Sequence, residues 1–459
     1  MARAPNIVVL IADDHRYESL GVHGCRQVRT PHLDALAAAG TLFDNAHCQG
    51  GMHPAVCVPC RASLMTGRNI FRSSQDPTGS DYEASAFWIP EELETFPQRL
   101  RRAGYRTHAV GKWHNDRAAF ARSFTSADRI MFGGMSDHDR VPLHRFDPSG
   151  RYPAEAAHFE PGFSTDLFRA SAEDFLRSVD RTAPFCLYVA FTAPHDPRTP
   201  PESHRVAPDG IELPPNLMPV HPFDNGEMTV RDEMLEAFPR TPDAIRRHIA
   251  DYYGMIAHLD DAIGSILTTL EETGLAQETV VVYTADHGLA LGQHGLLGKQ
   301  NLYEHSLRIP LILRGPGVSA GRRVPHLVWH GDTNATLLEM AGLAADRGRE
   351  GISLLALARG EGTPRRTFCA AYRFGQRMAR TERYKFIRYY PQDEASLKPT
   401  IAGTPTPGSA TEQLFDLASD PWEMNNLAFH PDWQEVRRAL VAELAEWQRR
   451  VGDPLLDAA

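Results

Sequence analysis

The sequence predicts an α/β fold: a large, mostly parallel sheet with helices between its strands, followed by a smaller C-terminal α+β subdomain. Three observations predict it. Four short, almost continuous apolar runs read as buried parallel strands. Stretches with helical periodicity stand between them. After Pro364 the pattern changes to hairpin alternation and one closing helix.

In chain order, the first strand is the run 7–11, Ile-Val-Val-Leu-Ile. A helix follows over 33–39, behind Thr30-Pro31. Another, over 96–103, stops at Gly104 as a C-cap would. The second run is 107–110, and the third is 185–190. Residues 137–160 and 197–238, rich in Pro, His, Asp and Arg, read as long loops over the sheet's active edge. The helix over 249–270 is the clearest, because Tyr252, Ile256, Leu259, Ile263, Ile266, Leu267 and Leu270 recur at helical spacing. It stops at Gly274, and the fourth run, 280–283, follows. Residues 378–390 alternate like a strand pair, 391–411 is a loose Gly-, Pro-, Ser- and Thr-rich loop, and 433–451 reads as a helix. The expected division is a catalytic α/β domain over 1–363 and a subdomain with a small antiparallel sheet over 364–459.

Apolar residues make up 42% of the 459-residue chain and charged residues 23%, an ordinary soluble composition. No run approaches the ~18 apolar residues of a membrane span. The run 7–12 is too short for a secretory leader and ends in Asp13-Asp14, so a cytoplasmic protein without membrane association is expected. A net charge of −10 argues against a nucleic-acid partner. It also means that any anion site is a local positive spot within an acidic molecule. Six scattered cysteines, Cys25, Cys48, Cys57, Cys60, Cys186 and Cys369, read as reduced thiols.

Each strand run leads into reactive residues: Asp13-Asp14, Lys112-Trp113-His114, Pro194-His195 and Asp286-His287-Gly288. Ligands of open α/β sheets bind beyond the carboxyl ends of the strands. Four such endings imply one shared pocket. Asp13, Asp14 and Asp286 would crowd negative charge there, which a cation relieves. Oxygen donors favour a hard ion, calcium or magnesium. Taken singly, Asp13-Asp14 is a helix cap, Asp286 a turn residue and His287 a structural hydrogen-bonder.

The segment Cys57-Val58-Pro59-Cys60-Arg61 followed by Thr66-Gly67-Arg68 is the most specific in the chain. Pro59 suits a helix's first turn, which puts Cys57 at the helix N-terminus. Three readings compete: a buried cysteine pair, a redox Cys-x-x-Cys, and a nucleophile signature. The signature resembles that of the formylglycine sulfatases of the alkaline phosphatase superfamily. The resemblance extends over most of the chain. It includes Asn6 to Asp14, Gly111-Lys112-Trp113-His114, Ala193-Pro194-His195, Thr284-Ala285-Asp286-His287-Gly288, Lys299 and Leu414-Phe415-Asp416-Leu417. Two positions depart from the common pattern. Cys60 stands where Ser or Ala is usual, but only Cys57 has Pro two residues on and Arg four residues on. His287 stands where many members carry Asn; branches resembling iduronate and choline sulfatases carry His there, with a lysine at the spacing of Lys299.

The resemblance implies an alkaline phosphatase-like sheet sandwiched by helices. It implies a sulfatase that hydrolyses a small-molecule sulfate monoester, with calcium (or Mg2+) as cofactor. Cys57 would be oxidised to formylglycine by a modifying enzyme. One hydroxyl of the hydrated aldehyde attacks sulfur and expels the alcohol; the other then loses its proton, and sulfate leaves as the aldehyde re-forms. Metal ligands by the same resemblance are Asp13, Asp14, Asp286, His287 and the group at Cys57. Arg61 would steady the diol, Lys112 and Lys299 would grip sulfate oxygens, His114 would accept the diol proton, and His195 would protonate the leaving alcohol. Alone, each of these would be a solvated or structural side chain. Phosphonate monoester or phosphodiester hydrolysis is the alternative activity on such a scaffold. A binding protein with an unconverted thiol is another. His138, Arg140, His144, Arg145 and Arg151 are candidates to meet an anionic sugar, although solvated surface is the simpler reading of each.

Overall fold

The structure, a computed structural model, describes residues 4–75, 87–344, 348–391 and 408–456. The loop expected over 391–411 falls largely outside these residues. Among those described, the strands are β1 (Asn6–Ala12), β2 (Thr41–His47), β3 (Gly50–Gly51), β4 (Arg106–Lys112), β5 (Ser126–Met131), β6 (Phe185–Ala190) and β7 (Thr279–Ala285). They continue with β8 (Arg308–Ile309), β9 (Leu311–Arg314), β10 (Arg322–Trp329), β11 (Phe368–Tyr372), β12 (Gln376–Arg380), β13 (Tyr384–Tyr389) and β14 (Thr411–Asp416).

The large sheet has 9 strands in the order β10-β2-β9-β7-β1-β6-β4-β5, with β8 beside β2. The four apolar runs of the sequence occupy the adjacent places β7, β1, β6 and β4, and all are parallel. Every residue of β1 is buried, which is why that strand is apolar without alternation. Its register sets Ile11 opposite Ala190 on one side and Thr284 on the other, so these strand ends lie level. Strand β9 runs antiparallel between β7 and β2.

The main helices are α1 (Pro31–Ala38), α2 (Cys57–Thr66), α3 (Phe96–Arg102), α4 (Arg117–Ser123), α5 (Ser164–Ser178), α6 (Pro242–Glu272), α7 (Glu304–Leu307), α8 (His330–Met340), α9 (Leu355–Arg359) and α10 (Gln434–Val451). Helices α1, α5 and α6 pack together, as do α2, α3 and α8, and the two groups flank the sheet. Thr241 caps α6 by accepting the Ala244 N–H, and Pro242 opens its first turn. Leu259, Ile263 and Ile266 of α6 are fully buried. Each contributes about 1.5–3 kcal/mol through burial. None of the described helices is long and apolar enough to cross a membrane.

The second sheet has 5 strands in the order β14-β13-β12-β11-β3. Strands β11 to β14 are antiparallel neighbours, and the expected hairpin is β12–β13. Helix α10 covers this sheet, burying Leu440, Leu444, Trp447 and Val451 against Ala379, Phe386 and Leu414. Strand β3 comes from the N-terminal part of the chain: Gly50 and Gly51 pair with Ala371 and Tyr372. A Cβ at Gly51 would fall 2.1 Å from Pro59 Cγ, so glycine lets this strand lie against the start of α2. None of the six cysteines is paired in a disulfide.

Candidate active site

The topology makes neighbours of the four reactive strand endings. Asp13 and Asp14 follow β1, Asp286 follows β7, Lys112 ends β4, and His195 lies beyond β6. The Asp14 N–H donates to Asp286 Oδ1 at 3.1 Å, tying the ends of β1 and β7. Helix α2 brings Cys57 to them as its first residue. Cys57 Sγ stands 3.5 Å from Asp13 Oδ1 and 3.9 Å from Asp14 Oδ1. Ligand atoms of Asp13, Asp14, Cys57 and Asp286 all lie within 4.8 Å of one another, and all four residues are buried.

Three cations interleave with the three carboxylates. Arg61, one turn along α2 from Cys57, donates Nε to Asp286 Oδ2 at 2.8 Å and Nη1 to the Lys112 carbonyl at 2.9 Å. Lys112 Nζ donates to Asp13 Oδ2 and to the Gly134 carbonyl. Lys299 Nζ donates to both oxygens of Asp14, at 2.7 and 2.6 Å, and to Cys57 Sγ at 3.3 Å. All six residues are buried, so these pairs interact in a low dielectric.

The electrostatics are uneven. Burial pushes the Asp13 carboxyl up to about 7, with Asp286 adding to the effect and Lys112 and Arg61 opposing it. Burial raises Asp14 too, against Lys299. Burial also opposes ionisation of Asp286, but Arg61, Lys112 and Lys299 outweigh it and hold that carboxyl well below the ordinary range. Burial, reinforced by Asp286, pushes the Cys57 thiol well above its usual value, so it stays protonated at neutral pH. His195 and His114 are held neutral, first by burial and then by Lys299 and Lys112 respectively. His195 Nε2 stands 3.6 Å from Asp14 Oδ2, and its Nδ1 is 2.8 Å from the Asp196 carbonyl. Asp14 and His114 have left-handed backbones at φ 68° and 55°. For non-glycine residues this costs on the order of 1 kcal/mol and is concentrated at functional sites.

His287 is placed differently from its expected role. Its Nδ1 is fixed at 2.8 Å from the Gly288 carbonyl, and the ring groups with the sulfurs of Cys48 and Cys60. It does not complete the close group of Asp13, Asp14, Cys57 and Asp286. The other ten sequence-predicted roles fall on side chains that converge here. In the histidine- and arginine-rich loop, His138 is buried and bonds Ser164 and the His195 carbonyl, and His144 is buried too, whereas Arg140, Arg145 and Arg151 are exposed, with Arg140 over Phe159. Two contributors escaped the sequence reading. Tyr252, read as core of α6, donates its hydroxyl to the Asp14 carbonyl at 2.7 Å. Its polar tip on a buried stripe was the available signal. Arg231 binds Asp196 and reaches Asp232 at 3.0 Å, and nothing in a loop sequence marks such pairing.

A cavity of about 660 Å³ opens onto Cys57, His114, His195 and Lys299, with Arg117, Phe132, Gly134, Met135 and Arg231 also lining it. The donor group fits a hard cation: at about 2.3–2.6 Å per calcium–oxygen bond, opposed ligands stand up to about 5 Å apart.

Carboxylates and cations gathered beside Cys57 at the carboxyl ends of a parallel sheet are a setting suited to an enzyme that cleaves anionic esters. The sulfatase family model matches residues 5–343, and a model described as N-sulphoglucosamine sulphohydrolase, C-terminal, matches residues 292–398. The chain belongs to the sulfatase family and is a sulfuric ester hydrolase. It is 25% identical to an N-acetylglucosamine-6-O-sulfatase of Bacteroides thetaiotaomicron, over 98% of this chain and 87% of that one. It is 31% identical to an iduronate 2-sulfatase of Mus musculus, over 69% of this chain and 60% of that one. Among solved structures, one in complex with its substrate D-glucosamine-2-N,6-O-disulfate superposes with a TM-score of 0.78, at 23% identity, covering 98% and 99% of the two chains. That likeness extends to the smaller C-terminal part and bears out the fold class.

Proposed function

We propose that this sulfatase hydrolyses a small-molecule sulfate monoester through a formylglycine made from Cys57 by a modifying enzyme, with calcium held by Asp13, Asp14, Asp286 and the group at position 57. The observation that carries the reading is the gathering of those four donors within 4.8 Å, with Arg61, Lys112 and Lys299 between them. The raised thiol supports conversion, because a cysteine kept protonated by burial is a poor nucleophile. Hydrated formylglycine would supply an oxygen nucleophile there, and calcium would supply charge for a sulfate oxygen and an acidified hydroxyl.

The chain's own groups do the rest. Lys112 and Lys299 present ammonium groups to a sulfate entering beside position 57. Arg61 holds Asp286 and the end of β4 in register. Neutral His114 is ready to take a proton. His195 faces the cleft, and the Asp196 carbonyl at 2.8 Å from Nδ1 orients the ring so that Nε2 points toward Asp14 and the cleft. A bound anion and Asp14 would favour its protonated form, as donation to a leaving alcohol requires.

The test is a tryptic peptide mass from protein made in its native host, paired with kinetics on 4-nitrophenyl sulfate and a phenyl phosphonate ester. Loss of sulfur at residue 57 and preference for the sulfate are expected. An active enzyme with an intact thiol at residue 57, or preference for the phosphonate, would overturn the reading.

A further inference from the structure

We propose that Arg117 forms a second anion subsite at the cleft, so that the substrate is a sulfate ester bearing a further oxyanion, either a carboxylate or a second sulfate. The inference rests on the sulfatase reading and narrows its substrate class.

The carboxylates and cations lining the cavity are otherwise engaged. Lys299 is bound to Asp14. Arg231 is bound to Asp196 and Asp232, and the second oxygen of Asp232 accepts Gln300 Nε2 at 2.7 Å. Asp116 receives the Ile89 N–H at 2.8 Å and the Ala119 N–H at 2.7 Å. Arg117 differs. Among the described residues, no carboxylate stands within 4.0 Å of its guanidinium and no hydrogen bond engages it. Its guanidinium carbon stands 5.6 Å from the centre of the Phe132 ring, which lines the same cavity. The ring positions the cation without satisfying its donors.

A half-buried, planar donor fork is suited to a carboxylate or sulfate, which it grips through paired hydrogen bonds. Phe132 and the 44%-exposed Met135 add an apolar wall on which the body of a sugar ring can lie. The chain's net charge of −10 makes a locally unmatched cation at the cavity more selective, since the surrounding field repels anions elsewhere.

The test compares kcat/KM on three esters sharing one sulfated sugar ring: otherwise neutral, carrying a carboxylate, and carrying a second sulfate. Wild type, Arg117→Ala and Arg117→Lys are measured, with 4-nitrophenyl sulfate as the activity control. Wild type should prefer one dianionic ester by about tenfold or more, the scale of a charge-assisted contact. Arg117→Ala should cut that preference about tenfold, mainly through KM, while Arg117→Lys retains part of it. The ester affected identifies carboxylate or sulfate as the ligand. Absence of a preference in wild type, or its survival in Arg117→Ala, overturns the subsite while turnover of 4-nitrophenyl sulfate upholds the sulfatase reading. If no sulfate ester is turned over, that reading fails instead. Calorimetry with the disulfated and the carboxylated esters then decides the subsite: weaker binding of either one by Arg117→Ala supports it, and equal binding of both refutes it.

Discussion

Arg61 connects three parts of the site through one guanidinium, which contacts Asp286, the Lys112 carbonyl and, at 3.7 Å, Asp13. Truncation would leave two buried carboxylates under-compensated. Arg61→Ala is expected to lower stability by about 3–5 kcal/mol, and denaturant unfolding measures it; a loss below about 1 kcal/mol would show that the network re-forms without it. Lysine cannot reproduce the fork, so Arg61→Lys should remain impaired. His114 permits a prediction in pH. Burial, then Lys112 and Arg61, hold its ring well below the usual 6.5. A base with a lowered pKa stays unprotonated as pH falls. Any acid limb of kcat arising from His114 therefore lies below pH 6.5, and His114→Ala should cost about 10²–10⁴ in kcat. A wild-type limb centred above 6.5 and absent from the variant would contradict this.

At the scale of elements, the central strands were legible because burial on both faces leaves an unbroken apolar signature, and the longest helix because its buried residues recur at helical spacing. Strand β2 was not: Asp44 and Asn45 interrupt it, and its identity comes from β9 and β10 beside it. Strand β10 contains Pro325, tolerable because β10 is the sheet's edge. The site was legible where strand endings announced it, at Asp13, Asp14, Lys112, His195 and Asp286. It was not legible where a role depends on which way a ring turns, as at His287, or on a contact across the fold, as for Tyr252 with Asp14. Two substitutions test the elements. Leu259→Ala in α6 should cost about 2–5 kcal/mol through lost burial and the cavity left behind. Asp453 accepts Arg377 Nε at 2.5 Å and Nη2 at 2.8 Å, joining the chain end beyond α10 to β12 with both side chains fully buried. Asp453→Asn should cost about 3–5 kcal/mol; an unchanged unfolding midpoint would show that this clamp contributes nothing.

At the scale of the whole molecule, the proposed cation links its site to global stability, because an ion that binds only the folded chain shifts the unfolding equilibrium. Calcium at 100 times its dissociation constant should add about 2.7 kcal/mol, and a chelator should remove it. A melting temperature indifferent to both would count against the metal. The pairing of Gly50 and Gly51 with β11 has a consequence for how the molecule is made. Gln49 Nε2 contacts the Cys369 carbonyl across 320 positions, and in the finished fold Cys57 is only 1% exposed. Ribosomes adding about 5–20 residues per second take on the order of tens of seconds to span that interval. Until the later segment emerges, the stretch leading into Cys57 has no strand to zip against, and the thiol is open to the proposed modifying enzyme. Under the proposed conversion of Cys57, pulse-labelled nascent chains should therefore acquire the aldehyde early, whereas purified folded protein carrying the thiol should resist conversion.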